Sequence, residues 1–283
     1  MSAVEIIIPV QDYHLAATLD SGQAFRWQRR NTAWTGVIHR HWVRLEAVDA
    51  GLRATTADPV PDWRWLTDYL QTGVDLTAVI KAFPEDAPLQ QAVAACRGLR
   101  LLRQEPWECL ASFMLSSTKQ IVQIRQIIAL LCERHGTAVP VPDGEPPAFA
   151  FPTPEQIAGL GEAQLRACKM GFRAPNLLDA ARRIAEGGLD LERWRTRSHA
   201  EARAELMQLR GVGGKIADCV LLFAGGFNAA FPVDVWIKKA LQELYFPRRR
   251  ASDKRLQHFA ATHFGPQGGY AQQYLFHYRR TMK

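Results

Sequence analysis

The sequence predicts an α+β fold, an N-terminal antiparallel β-sheet followed by an all-helical bundle built around a helix-hairpin-helix. Residues 1 to about 90 hold short β-type runs, VEIIIPV, AFRWQ, WTGVIH and WVRLEAV, separated by SGQ, RRNTA and DAG turn clusters. From Asp62 onward the apolar residues recur at helical spacing, with Pro or Gly marking several boundaries. The chain is therefore divided into a β domain, residues 1–90, and a helical domain, residues 91–283, with the helix-hairpin-helix at 206–223.

The helical segments follow in order as WRWLTDYL, PLQQAVAAC, PWECLASFMLSS, QIVQIRQIIALLCERHG and APNLLDAARRIAEGG. The proline-rich stretch VPVPDGEPPAFAFPTPEQ cannot continue a helix and is read as a surface connector between two helical groups. It ends where Thr153 can cap a new helix and Pro154 can occupy its first turn.

Composition narrows the function classes. At 283 residues and 47% hydrophobic the chain can bury two cores or one large one, and its net charge of +7 permits a polyanionic partner. The five cysteines are widely spaced and form no CxxC pair, which argues against a disulfide framework or a zinc site. Nothing after Asp234 supplies four clustered cysteines for an iron-sulfur cluster, and neither metal nor cofactor is expected. No apolar run approaches the roughly 20 residues of a membrane span, and the start MSAVEIIIPVQDYH carries no secretory leader. The expectation is a monomeric cytoplasmic protein with no membrane partner.

The most informative segment is LMQLRGVGGKIADCVLLFAGGFNAAFPVDVWIKKAL, residues 206–241. Leu206 to Leu209 close one helix, Gly211, Val212, Gly213 and Gly214 make a tight turn, and Lys215 to Phe223 start a second helix. Such a glycine hairpin exposes backbone N–H groups where no side chain obstructs a phosphate. It serves equally as a plain structural turn, and Asp234 taken alone reads as the cap of the helix VWIKKAL. Lys215 is nucleophilic only as the free amine, a form that a helix N-terminus favours over the cation. Cys219, four residues on, shares its helix face, and Gln272 and Phe276 share another.

With these residues in view, the chain resembles the helix-hairpin-helix-Gly/Pro-Asp superfamily of DNA glycosylases, through LRGVGGKIAD and FPVDVW in that order. The similarity is closest to the bacterial 8-oxoguanine DNA glycosylase/AP lyase branch, through LDSGQAFRW, RLLRQEPWECLASFMLSS, MGFRAPN, GVGGKIADC, PVDVW and FGPQGGYAQQYLF. The resemblance implies an enzyme that flips a damaged purine out of double-stranded DNA and cleaves its glycosidic bond through a Schiff base, followed by β-elimination.

It further implies that Lys215 is the nucleophile and that Asp234 orients or deprotonates the amine and stabilises an oxocarbenium-like sugar. Cys219 and Phe276 would sandwich the base, Gln272 would read its Watson–Crick edge, and the Gly22 carbonyl would accept the N7 proton that distinguishes 8-oxoguanine from guanine. Gly211, Val212 and Gly213 would clamp the backbone, with Phe172 as a wedge and Arg173 engaging the opposite strand.

The sequence departs from the family at two places. Thr118, Lys119, Gln120 and Gln123 stand where relatives with strict opposite-cytosine preference carry an asparagine-rich turn and a following arginine. Trp236 stands where relatives have a histidine near the phosphates, and an indole donates one hydrogen bond without titrating near neutrality. The expected consequence is a relaxed choice of partner base. Two alternatives remain open at this stage: a glycosylase for alkylated or other oxidised purines, and a non-catalytic DNA-binding protein.

Overall fold

The computed structural model describes residues 3–57 and 59–281. Five antiparallel strands form one sheet: β1 (Val4–Pro9), β2 (Gln28–Arg30), β3 (Ala33–Ile38), β4 (His41–Val48) and β5 (Gly51–Thr56), in the spatial order β1-β5-β4-β3-β2. Both edges are blunted against further pairing. Pro9 ends β1, where a missing N–H costs no ladder bond, and β2 is short, exposed and carries Arg29 and Arg30.

Two elements of this half escape the sequence reading. The run AFRWQ contributes only Gln28 to a strand, whereas GLRATT forms β5, which joins β1 to β4. Its alternation is carried by Leu52, Ala54 and Thr56, a weak apolar signal. The other is the six-residue helix Leu15–Asp20, whose first turn is capped by His14 Nδ1 accepting from Ala17 N at 3.1 Å.

One face of the sheet packs with Leu15, Leu19, Leu66 and Leu70 around Trp27. Each fully buried leucine contributes roughly 1.5 to 3 kcal/mol. Trp27 also donates Nε1–H to the Tyr69 hydroxyl at 3.0 Å, which satisfies the polar edge of its ring.

From Arg64 the chain is helical, and the segments expected from periodicity form helices at Arg64–Leu70, Ala87–Ala95, Pro106–Leu115, Ile121–His135 and Ala174–Ala185. The caps follow their sequence signatures. Glu105 accepts from the N–H groups of Trp107 and Glu108 ahead of Pro106, and Thr153 and Gln156 form a reciprocal capping box around Pro154. Within the proline-rich connector, Ala138–Val139 pairs with Ala148–Phe149 and packs on Val37 and Trp42 of the sheet.

A single large core binds the helices together, centred on Trp107, Leu110, Phe113, Leu177, Trp194 and Tyr274. The hairpin lies against it. Ser198 caps the helix His199–Leu206, Gly211 turns the chain at φ +84°, and the helix Gly214–Val220 widens into a π turn at Leu221–Gly225. The first helix of the pair ends at Leu206, three residues earlier than the pattern suggests, because Met207 to Leu209 already belong to the turn. Inside the widened turn the Phe223 carbonyl accepts from Gln104 N at 2.7 Å, which locks the hairpin to the segment before the helix Pro106–Leu115.

Candidate active site

Lys215 is the second residue of the helix Gly214–Val220 and is half-buried. Its Nζ lies 5.2 Å from the ring centroid of Phe113, and Cys219 follows one turn on along the same helix. Burial pushes that thiol up to about 11, reinforced by Asp234 and opposed by the Lys215 ammonium. Cys219 therefore stays protonated at neutral pH and does not compete as a nucleophile.

Asp234 sits in extended backbone and caps the helix Val235–Tyr245, its Oδ1 accepting from Ile237 N at 2.8 Å. Oδ2 takes no hydrogen bond among the described residues. Asp234 and Lys215 line the same cleft of about 770 Å³, so the structural cap and a catalytic carboxylate are compatible in one side chain.

Behind Lys215 a narrow cavity of about 40 Å³ continues between Phe113, Cys219, Gln272, Phe276 and Gly22. It has room for about one water and none for a purine. Gln272 is 5% exposed, and its Oε1 is buried without a hydrogen-bond partner. A native protein leaves few such atoms unpaired. The Arg280 guanidinium lies over the Phe276 ring, 5.4 Å from its centroid.

Gly22 holds φ +77°, and a Cβ there would meet Ile121 Cδ1 at 3.1 Å and Phe276 Cε1 at 3.3 Å. The neighbouring Gln23 is fully buried and fixes this turn: its Nε2 donates to Thr18 O, Ser21 Oγ and Arg100 O, and its Oε1 accepts from Leu102 N. Gln104 donates to Gln23 O at 2.6 Å, and Gln273 donates to Ser21 O at 2.9 Å. Gln23, Gln104, Gln273 and Arg280 were not singled out from sequence. The SGQ motif offered a local signal only for Gln23.

The cleft opens toward Thr118, Lys119 and Trp236. Thr118 is exposed and left-handed at φ +56°, a strained setting for a β-branched residue. Gln123 Oε1 accepts from Gln120 N at 3.1 Å, so both glutamines are engaged at the start of the helix Ile121–His135. Arg173 is buried at 4% exposure and donates to Ser117 O, to Thr118 Oγ1 at 2.6 Å and to Met170 O at 3.3 Å. Phe172, stacked on that guanidinium at 4.2 Å, stands 61% exposed.

In the hairpin, Gly211 and Gly213 are exposed, whereas Val212 is buried and its N–H is bound to Leu209 O. Val212 thus anchors the turn while the two glycines face outward. Trp236 is 37% exposed with Lys239 Nζ 5.5 Å from its ring centroid, a cation beside the cleft mouth.

Comparison with known proteins agrees with this geometry. Residues 5–110 match the 8-oxoguanine DNA glycosylase N-terminal domain, and residues 111–264 match the HhH-GPD superfamily of base excision DNA repair proteins. A probable N-glycosylase/DNA lyase of Methanothermobacter thermautotrophicus is 31% identical over 304 residues, covering 96% of this chain and 95% of that one. The Clostridium acetobutylicum 8-oxoguanine glycosylase/lyase, solved with double-stranded DNA containing cytosine opposite 8-oxoG, superposes with TM-score 0.87 at 32% identity, covering 95% of this chain and 92% of that one. A 3-methyladenine DNA glycosylase of Archaeoglobus fulgidus shares the fold, with TM-score 0.80 at 19% identity. The chain belongs to the HhH-GPD superfamily of base excision DNA glycosylases. Its N-terminal domain places it in the 8-oxoguanine N-glycosylase/DNA lyase branch.

Proposed function

We propose that Lys215 is the nucleophile with which this 8-oxoguanine glycosylase/lyase releases the damaged base and cleaves the strand. The observation that carries the reading is the shared cleft: the Lys215 amine stands at the mouth of the cavity whose far wall holds the unpartnered Gln272 Oε1. A base held on Gln272 and stacked between Cys219 and Phe276 brings its sugar to Lys215. The free amine attacks C1′ and the glycosidic bond breaks with its electron pair leaving on the base; cleavage of the C1′–O4′ bond, with an amine proton passing to O4′, then opens the sugar to the Schiff base. Loss of a C2′ proton then expels the 3′-phosphate. Asp234 stabilises the positive charge that develops on the sugar, in a site where a fixed carboxylate acts strongly.

Lesion choice rests on Gly22. Its carbonyl accepts the N7 proton of 8-oxoguanine, and guanine would leave that acceptor facing a lone pair, a cost of roughly 1 to 3 kcal/mol. Gly211 and Gly213 offer backbone to a phosphate, Phe172 fills the gap left in the stack, and Thr118, Lys119, Gln120, Arg173 and Trp236 border the DNA. The domain boundary is drawn near residue 90, with the helix Ala87–Ala95 opening the glycosylase bundle. The five unpaired cysteines favour a reducing compartment, and we place the enzyme in the bacterial cytoplasm, on nucleoid DNA.

The test combines borohydride trapping with one substitution. Wild-type protein is expected to form a covalent adduct with duplex containing 8-oxoguanine and none with alkylated duplex. Lys215→Gln is expected to lose both base release and the adduct while still binding the lesion. An adduct formed by Lys215→Gln would remove this lysine from the mechanism.

A further inference from the structure

The helix Val235–Tyr245 starts at the catalytic cleft and ends in a basic turn. Asp234, Val235, Trp236 and Lys238 line the cleft. Past the far end of the helix, residues 246–255 read FPRRRASDKR: five cations, Arg248, Arg249, Arg250, Lys254 and Arg255, against the single carboxylate of Asp253. Five minus one is a net +4, more than half of the chain's +7 within ten residues. All five cations are exposed. Asp253 is taken by the Lys238 ammonium, and Glu243, the one acid of the helix, is held by Arg279 at 2.8 Å. Among the described residues none of the five pairs with a carboxylate.

A run of charge in a loose loop needs no partner, but this turn is fastened. The Gln242 side chain donates through Nε2 to Phe246 O and to Arg249 O at 3.1 Å, and its Oε1 accepts from Ala251 N at 2.8 Å. The Arg255 guanidinium lies over the Phe246 ring, 4.8 Å from its centroid. The arginines therefore stand on a backbone held in one shape. Lys254 and Arg255 also occupy the first turn of the helix Asp253–His263, where the free N–H groups already carry partial positive charge. Like charge is stacked on like charge at a cost to that helix, and an anion from outside the chain is what relieves it.

The turn is tied to the cleft directly. Lys238, which lines the cleft, holds Asp253, and Lys239 lies 5.5 Å from the ring centroid of Trp236 at the cleft mouth. The eleven residues of the helix, at about 1.5 Å each, put its far end roughly 16 Å from Asp234. We propose that Arg248–Arg250 and the first turn of the helix Asp253–His263 bind phosphates of the duplex flanking the lesion, beyond the nucleotides at the cleft. One strand carries a phosphate about every 3.4 Å of axis, so the arginines meet the backbone about four to five nucleotides from the extruded one. Such contacts add affinity without reading sequence or damage. The proposal rests on the DNA-repair reading, which borohydride trapping of the wild-type protein checks without involving these arginines.

The experiment uses the triple variant Arg248→Gln/Arg249→Gln/Arg250→Gln and the three single variants, with thermal melting to verify folding. All three side chains are exposed, so melting near the wild type is expected. Binding is measured between about 50 and 200 mM salt on a long duplex with a central 8-oxoguanine, on its undamaged counterpart, and on two duplexes cut to about three base pairs on one side of the lesion or the other. Each arginine that reaches a phosphate adds about 0.9 to the salt slope. Its loss is expected to shrink the fall in affinity over that salt range by about 3.5-fold, equally with and without the lesion. On one of the two shortened duplexes variant and wild type are expected to coincide, and the single-turnover excision rate at saturating enzyme is expected to stay unchanged. Equal slopes on the long duplex overturn the proposal. So does a difference that persists on both shortened duplexes, which places the arginines at the lesion itself, and so does a fall in the saturated excision rate, which assigns the turn to the chemistry.

Discussion

Arg173 donates to the hydroxyl of Thr118 across 2.6 Å, tying together two residues expected to face the undamaged strand. The same guanidinium holds Ser117 O and Met170 O, so it is braced inward where a free arginine would reach for a base. The Gln123 Oε1 is likewise engaged by the N–H of Gln120. Strict discrimination needs groups that the wrong base leaves unpaired, and this border has few to spare. Excision of 8-oxoguanine opposite cytosine is therefore expected to exceed that opposite adenine by a smaller factor in the wild type than in a Thr118→Asn/Gln123→Arg double variant. Single-turnover rates at one salt concentration decide it. An equal factor in the two proteins would refute the account.

Thr118 also bears a backbone cost. A non-glycine residue at φ +56° stores strain on the order of 1 kcal/mol or more, and asparagine tolerates that region better than a β-branched side chain. Thr118→Asn alone is expected to stabilise the fold by roughly 1 kcal/mol. Denaturant titration reads this directly, and a lower stability would mean that the hydroxyl bond to Arg173 outweighs the strain.

Asp234 combines two duties that its variants separate. Asp234→Asn keeps an acceptor for Ile237 N and is expected to melt near the wild type while single-turnover excision falls about 10²- to 10³-fold. Asp234→Ala should show the same kinetic loss and a further cost of about 1 kcal/mol from the missing cap. If Asp234→Asn excised at the wild-type rate, the carboxylate would be structural only.

Gly22 tolerates no side chain by geometry. At φ +77° an alanine is strained, and its Cβ meets Ile121 and Phe276 at the pocket wall. Gly22→Ala is expected to lose about 1 kcal/mol of stability and, by displacing the base, about 10²-fold in excision. Rates and melting are measured on the same preparation. Full activity in the variant would place the lesion contact elsewhere.

Glu105 gives the fold a pH signature remote from the chemistry. Burial pushes its carboxyl up from 4.5 to about 7, although the N–H groups of Glu108 and Trp107 pull it down. A folded-state value above the unfolded one means that the native protein holds this proton more tightly. The associated stability is complete below about 4.5 and is lost as pH rises through about 7. The wild-type melting temperature is expected to fall across that window more steeply than that of Glu105→Gln. Parallel curves for the two proteins would show that Glu105 does not titrate there.

The parts of the site legible in the sequence are those that lie close along the chain. Lys215 and Cys219 share a helix face, as do Gln272 and Phe276, and the hairpin and the Asp234 cap announce themselves in GVGGK and FPVDVW. The long-range support for Gly22 was not legible, because Gln23 also reaches Arg100 O and Leu102 N, 77 and 79 residues away, and Gln273 reaches back 252 residues to Ser21. Strand β5 escaped for a different reason. Its inward residues include Ala54 and Thr56, and its burial comes from neighbours on both sides more than from its own hydrophobicity.

The cavity behind Lys215 has room for about one water, with Arg280 lying over the ring of Phe276. On the proposed function, a protein travelling along a genome with this door shut passes most nucleotides without admitting any. On that same reading, each visit begins with an opening step that undamaged and damaged bases share, and Gly22 tells them apart afterwards. Patrol speed and lesion fidelity are then, on the proposed function, separately adjustable, the first through the stack of Arg280 on Phe276 and the second through the fixed turn at Gly22.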